Sequence, residues 1–135
     1  MADTFELEIC TPDRLLARER VTDAQIPAAN GYLGLLPGHA ALMAELGTGE
    51  MSYTAEGRVR HLVIHGGFLE VLQDHARVLT DAAERADEID DKRAQESLRR
   101  AQERLTKAAE GVDVARALNA MKRAEARLKA AARNK

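Results

Sequence analysis

The chain has 135 residues, room for one ordinary domain or a small domain with an appendage. Apolar residues make up 45% and allow a core, but aromatics make up only 3% (Phe5, Tyr32, Tyr53 and Phe68), which argues against base stacking, so no nucleic-acid partner is expected. The net charge of −2 is unevenly divided: residues 1–85 hold 7 Lys/Arg against 13 Asp/Glu, a net of −6, and residues 86–135 hold 13 against 9, a net of +4. Such a division suits two segments that face different partners, or simply helical surface of mixed charge.

The start, Met1-Ala2-Asp3-Thr4, shows no basic region followed by an apolar run, so no signal peptide is expected. Phe5, Leu7 and Ile9 alternate with Glu6, Glu8 and Cys10, the pattern of a half-buried strand. Cys10 is the only cysteine, which excludes an internal disulfide and suits a cytosolic protein. Val21 to Ile26 reads as a shorter extended piece ended by Pro27. Asn30-Gly31, Pro37-Gly38, Gly47-Thr48-Gly49 and Glu56-Gly57 read as turns. Arg58 to His65 and Phe68 to Leu72 are strand-like runs around Gly66-Gly67, and Arg77 to Thr80 is one more strand. Short strands between frequent turns predict a sandwich or flattened barrel over residues 1–86.

The period then changes. Ala94, Leu98, Ala101, Leu105 and Ala108 follow a helical stripe; Gly111 fits a helix C-terminus and Asp113 the next N-cap. Val114, Leu118, Met121, Leu128 and Ala132 form a second stripe, with Glu125 in conflict inside it. Residues 87–135 are thus expected to be an antiparallel two-helix hairpin with a very short turn, giving a segregated α+β fold. Large apolar residues in the hairpin are few, Val112 among them. At about 1.5–3 kcal/mol for each one buried, they barely offset the entropy of ordering the backbone. The hairpin therefore reads either as an arm that detaches or as a permanently docked one. No stretch approaches the ~18 apolar residues that span a bilayer, so no direct membrane insertion is expected.

No catalytic residue is expected. The chain lacks a phosphate-cradling Gly-x-x-x-x-Gly-Lys-Ser/Thr run, a His-Glu-x-x-His pair and a nucleophile elbow around Ser52 or Ser97. His61 and His65 would stand roughly 13 Å apart along a strand and share no metal; with His39 and His75 near turns, no metal site is expected. Gly31-Tyr32-Leu33-Gly34-Leu35-Leu36-Pro37-Gly38-His39-Ala40 crowds glycines and a proline into an apolar run, which suits a bent backbone meeting a partner or a plain sandwich corner. The second helix is basic: Arg116, Lys122, Arg123, Arg127, Lys129, Arg133 and Lys135 stand against Glu125 alone. That face suits an acidic protein or a polyphosphate. Ile89-Asp90-Asp91-Lys92-Arg93-Ala94 opens the first helix with Asp90 as N-cap.

Three runs, Gly31 to Ala40, Gly66-Gly67-Phe68-Leu69-Glu70-Val71 and Val78-Leu79-Thr80-Asp81-Ala82-Ala83-Glu84, followed by a helical hairpin, give the chain its resemblance to the epsilon subunits of bacterial-type rotary F-type ATP synthases. The resemblance covers essentially the whole chain. It implies a ten-strand β sandwich that grips the gamma subunit and touches the c-ring. Asn30, Gly31, Tyr32, Leu33 and His39 would be contact residues there. It implies a hairpin that folds down or extends along gamma into the alpha/beta hexamer and inhibits ATP hydrolysis, with Arg116, Lys122, Arg123 and Arg127 meeting a beta subunit. The family's Ile/Leu-Asp-x-x-Arg-Ala motif matches Ile89, Asp90, Arg93 and Ala94, which implies a regulatory ATP site with Arg100, Arg123 and Arg127 as further partners, and no required cofactor. The location implied is peripheral, on the cytoplasmic face of the bacterial inner membrane. The rival readings are an ATP-sensing module acting outside the synthase, and a small metal enzyme of sandwich fold.

Overall fold

The computed structural model describes residues 3–107, 111 and 113–133. Ala108, Val112 and Lys135, which the helical stripes and basic face included, lie outside the described residues, as do Met1 and Ala2.

Eight strands form in chain order among the described residues: β1 Phe5–Cys10, β2 Leu15–Val21, β3 Asp23–Ala28, β4 Gly31–Leu35, β5 Leu42–Ala55, β6 Arg58–Leu72, β7 His75–Leu79 and β8 Ala83–Arg85. They hydrogen-bond in the order β2-β1-β7-β6-β5-β3-β4, with β8 on the free side of β6, and every pairing is antiparallel except β1 with β7. The sheet folds over on itself because β5 and β6 run through both layers. The Phe68–Leu72 half of β6 pairs with β7, and the Leu62–Ile64 stretch pairs with β8. This gives the expected sandwich, with eight strands where the resemblance implied ten. Each long strand, cut at its bend, supplies one piece to each layer.

The bends lie at glycines. Gly47-Thr48-Gly49 is not the turn its composition suggested but part of β5, within which Gly47 is left unpaired while the register with β6 continues unchanged on either side. Gly66 and Gly67 bend β6 with φ of +71° and +106°, a region open to glycine at little cost. Pro27 does not end a strand either. It sits inside β3 where the pairing with β5 is interrupted between Gln25 and Ala28, so its missing N–H leaves no ladder bond unmade. Glu56-Gly57 is a two-residue hairpin turn with both φ positive, as expected of that dipeptide position.

Between the layers, Leu7, Ile9, Val21, Ile26, Met51, Ile64, Leu69 and Val78 are fully buried. Alternation along each strand places them there: in β1, Phe5, Leu7 and Ile9 face inward.

A 3-10 turn, Ala86–Glu88, leads to helices α1 Asp91–Thr106 and α2 Val114–Ala132. Asp90 caps α1, accepting from the Arg93 N–H at 3.2 Å, and Asp113 caps α2, accepting from the Arg116 N–H at 3.0 Å. Among the described residues α1 ends at Thr106 and α2 begins at Val114; most of the short turn expected between them lies outside the described residues. The buried seam follows the expected stripe on α1, where Leu98 and Leu105 are half-buried beside it, but departs from it on α2. Ala94 and Ala101 of α1 and Ala117, Ala124 and Ala131 of α2, all at seven-residue spacing, are buried, whereas Val114 and Leu118 are exposed. Alanine at these positions lets the helices approach closely. With the seam on that line, Glu125 is exposed and its expected conflict disappears.

Helix α2, not α1, carries the hairpin's contact with the sandwich, touching β5, β6 and the 3-10 turn. Ala126 and Ala130 pack with Val63 and Ala86, and Ile89 lies beside them. Little apolar area is involved, so polar contacts decide how α2 sits.

Candidate functional site: the arm-docking face and the exposed sandwich surfaces

Two arginines on α2 reach carboxylates on the sandwich. Arg127 Nε donates to Glu84 Oε1 at 2.7 Å, and Arg133 Nε donates to Glu50 Oε1 and Oε2, each at 2.9 Å. Glu84 is also met by the His65 ring, Nε2 at 3.0 Å from Oε1. The His65 hydrogen bond, with Arg127 second among the stabilising contacts, outweighs the partial burial of Glu84 and holds its carboxyl down at about 2. Glu50 is 9% exposed, and a buried carboxylate of that kind needs a cation. Thus two of the basic residues expected to face an external partner are engaged by the sandwich in this arrangement.

The motif residues Ile89, Asp90, Arg93 and Ala94 hold the root of the hairpin. Ile89 packs against the alanines of α2, Asp90 spends one carboxylate oxygen on its cap, Arg93 is exposed, and Ala94 lies in the helix seam. Arg100 is exposed and contacts Ser97 at 3.3 Å; Arg123 is half-buried, with no ion pair among the described residues. Arg127 stands with Glu84. The largest cavity described, about 620 Å³, lies elsewhere, between Leu16, Glu19, Tyr53, Arg60, His61 and Arg85. Arg116 and Lys122 are exposed.

Beside the arm-docking face, Ala29-Asn30 forms the two-residue turn between β3 and β4. Gly31 follows with φ +128°, and Asn30, Gly31 and Tyr32 are exposed while Leu33 is half-buried against the core. His39 Nδ1 lies 2.7 Å from its neighbour's carbonyl, Ala40 O. The Tyr32 hydroxyl folds back over β5. A Cβ built on Gly49 would meet it at 3.1 Å and Pro27 Cβ at 3.0 Å, so Gly49 exists to admit this approach.

A second surface was not singled out by the sequence. On the outer face of the β5–β6–β7–β1 layer, Met43, Phe68, Leu72 and Leu79 are 71%, 55%, 51% and 46% exposed. Phe68 and Leu79 are paired across the ladder, and a shallow depression runs beside them past Cys10 and Glu45. A single outward apolar residue is ordinary; only the pairing register brings these four together.

Next to that patch, Glu8 is bracketed by Arg18 (2.8 Å) and Arg77 (3.0 Å), which lower its carboxyl, Arg77 more than Arg18. Glu6 and His75 lie near enough to complete a three-ligand cluster. The two guanidinium groups already neutralise Glu8, so the cluster is organised as an ion-pair network.

Behind the patch the glycine-bearing run at Gly66 meets the Val78–Glu84 run. The Thr80 hydroxyl donates to Gly66 O at 2.7 Å and accepts from the His65 N–H at 3.2 Å. A Cβ on Gly67 would fall 1.9 Å from Leu79 O and 2.7 Å from Thr80 Cα.

Comparison with known proteins places both halves. Residues 4–86 match the family model described as ATP synthase, Delta/Epsilon chain, beta-sandwich domain, and residues 87–132 match the one described as ATP synthase, Delta/Epsilon chain, long alpha-helix domain. An ATP synthase epsilon chain from Solibacter usitatus is 59% identical over 128 residues, covering 95% of this chain and 96% of the relative. One from Koribacter versatilis is 54% identical over 105 residues, covering 78% and 74%. Among solved structures, a chain of the Euglena gracilis mitochondrial ATP synthase, in an OSCP/F1/c-ring assembly, superposes with a TM-score of 0.86 at 25% identity, over 98% of this chain and 83% of that one.

Proposed function

The chain belongs to the ATP synthase delta/epsilon chain family, and we propose that it serves as a non-catalytic rotor subunit whose sandwich couples gamma to the c-ring and whose hairpin regulates hydrolysis. The observation that carries the rotor role is the consecutive match of both halves, in order and over nearly the whole length, to chains of that single family. The Euglena assembly contains F1 and the c-ring, and the partners here are the corresponding gamma subunit, ring and alpha/beta hexamer. No helix among the described residues is long and apolar enough to cross a membrane. Association with the membrane is therefore peripheral and made through the partners, on the cytoplasmic face of the bacterial inner membrane.

The surfaces divide between the partners by chemistry. The Phe68–Leu79–Met43 patch suits a broad apolar contact with gamma, since clustered exposed aromatic and aliphatic side chains are what protein interfaces desolvate. The Asn30–His39 surface, with its polar turn and the single aromatic Tyr32, suits the polar loops of the ring. The hairpin acts as the inhibitory element when released. In the docked form Arg127 and Arg133 are bound to the sandwich, and release frees both to join Arg116, Lys122 and Arg123 against an acidic beta-subunit segment. ATP is the regulatory ligand we assign to the root of the hairpin, at Ile89, Asp90, Arg93 and Ala94 with Arg100, Arg123 and Arg127. Its phosphates would have to share or replace the Glu84 contact of Arg127.

Affinity purification of the tagged chain from gently solubilised membranes of its own cell tests the assignment. Co-recovery of alpha, beta, gamma and ring subunits is expected. Recovery of the chain alone, with those subunits present in the extract, overturns the rotor reading in favour of a free nucleotide sensor.

A further inference from the structure

The last turn of α2 and the β3–β4 hairpin lie on opposite sides of one residue, Glu50. The Glu50 carboxylate receives Arg133 Nε on both oxygens at 2.9 Å, and its backbone adjoins the Tyr32 hydroxyl, which packs across Gly49. Burial raises the Tyr32 hydroxyl's pKa first, and Glu50 and Arg133 both act on it electrostatically, so the three groups share one local environment. Glu50 is nearly buried, whereas Tyr32 is 57% exposed and the Arg133 side chain 46% exposed. The arrangement is a partner-accessible aromatic ring and a helix end joined through one buried carboxylate.

We propose that Glu50 couples the Tyr32 hairpin to the docking of α2, so that a partner gripping Tyr32 favours the docked arm and a docked arm favours that partner. The physical route is short. Tyr32 packs over Gly49, beside the unpaired Gly47 of β5, and so bears on the strand segment that carries Glu50. A fixed segment holds the Glu50 carboxylate where the single Arg133 Nε–H is shared between both oxygens, and a shared bond of that kind depends on orientation. Loosening the segment gives up that geometry, and the remaining α2 interface is mostly alanine. A partner that covers Tyr32 also excludes water from the half-exposed Arg133–Glu50 pair, which strengthens their attraction. Linkage makes the effect reciprocal.

This inference rests on the stalk reading only for the identity of the partner; the coupling itself is a property of the chain alone. It is therefore tested on the free, full-length chain by amide hydrogen exchange of peptides covering residues 126–133. Tyr32→Phe removes the hydroxyl and keeps the ring. It is expected to speed exchange there by about fivefold, the lower end of typical coupling between sites. Glu50→Gln is expected to do the same or more, and Tyr32→Phe added to Arg133→Gln should have no further effect. Exchange in β1 and β7 reports that the sandwich stays folded in each variant. Unchanged exchange at 126–133 in Tyr32→Phe, or full additivity with Arg133→Gln, overturns the coupling without touching the rotor assignment.

Discussion

Arg127 Nε and Glu84 Oε1, 43 residues apart in sequence, stand 2.7 Å apart across the joint between arm and sandwich. Both side chains are about one-third exposed, so the pair is desolvated enough to matter and open enough to break. With a small apolar cluster of Ala126, Ala130, Val63, Ala86 and Ile89 at that joint, this pair and Arg133–Glu50 set the position of α2.

Removing one partner should therefore free the arm and leave the sandwich standing. Arg127→Gln strands the Glu84 carboxylate with His65 alone and should cost about 1–2 kcal/mol of docking. Limited proteolysis reads this: cleavage near residues 86–91 should rise roughly tenfold or more, while the fragment ending near residue 85 resists further digestion. A cleavage rate equal to that of the unaltered chain would remove the pair from the docking contact.

Gly67→Ala should be among the most damaging single changes in the chain. Its Cβ would fall 1.9 Å from Leu79 O, against backbone that no rotamer change can move, at a φ of +106° that alanine disfavours. Urea unfolding should show a loss of more than about 3 kcal/mol. Gly57→Ala, whose Cβ meets nothing within 4 Å, should show only the smaller cost of its own positive φ.

Phe68→Ala and Leu79→Ala remove exposed apolar groups from the outer face and should leave folding nearly unchanged. If that face meets gamma, each should weaken binding to the isolated gamma subunit by about tenfold or more, as truncation of a central interface anchor does. Calorimetry of the purified pair measures it. Val59→Ala, at an exposed position outside the patch, serves as the control.

The sandwich was legible because alternation and turn residues report on local geometry: β1, the Glu56-Gly57 turn and β7 follow from neighbours in sequence, while the turn read at Asn30-Gly31 lies one residue earlier, at Ala29-Asn30. Gly47-Thr48-Gly49 misled for a physical reason. Glycines serve a tight turn and a close crossing equally well, and only the packing of Pro27 and Tyr32 over Gly49 distinguishes the two. The arm's seam misled differently. A hydrophobicity pattern weights leucine over alanine, but the helices approach along the alanine line and leave Leu118 outside. The docking contacts Glu84–Arg127 and Glu50–Arg133 span 43 and 83 residues, and no local pattern could pair them.

At the hairpin root, Asp90 and Arg93 can be separated by experiment. Asp90→Ala removes the cap of α1 and should cost about 1 kcal/mol of helix stability whether or not a nucleotide binds. Arg93→Ala leaves the cap intact, because only its backbone N–H takes part. Loss of ATP binding in Arg93→Ala, with α1 still formed by circular dichroism, is the expected outcome; unchanged binding would exclude Arg93 from the site.

Acid should release the arm before it unfolds the sandwich. Glu84 has its carboxyl held at about 2, below the ordinary 4.5, by His65 and then Arg127. A carboxylate with a depressed folded pKa contributes stability that is complete above the ordinary value. The His65 share of that contribution stays with the sandwich when the arm leaves; the Arg127 share belongs to docking and is lost as pH falls from about 4.5 towards 2, because the undocked form then takes up the proton more readily than the docked form. Only the Arg127 share counts towards docking, and discounted for partial exposure it is on the order of 1 kcal/mol. A fluorescence distance between probes placed at residues 14 and 122 should lengthen across that window. In Glu84→Gln the distance should already be long at neutral pH and should change little on acidification. A Glu84→Gln variant that still shows the full acid transition would assign the release to other carboxylates.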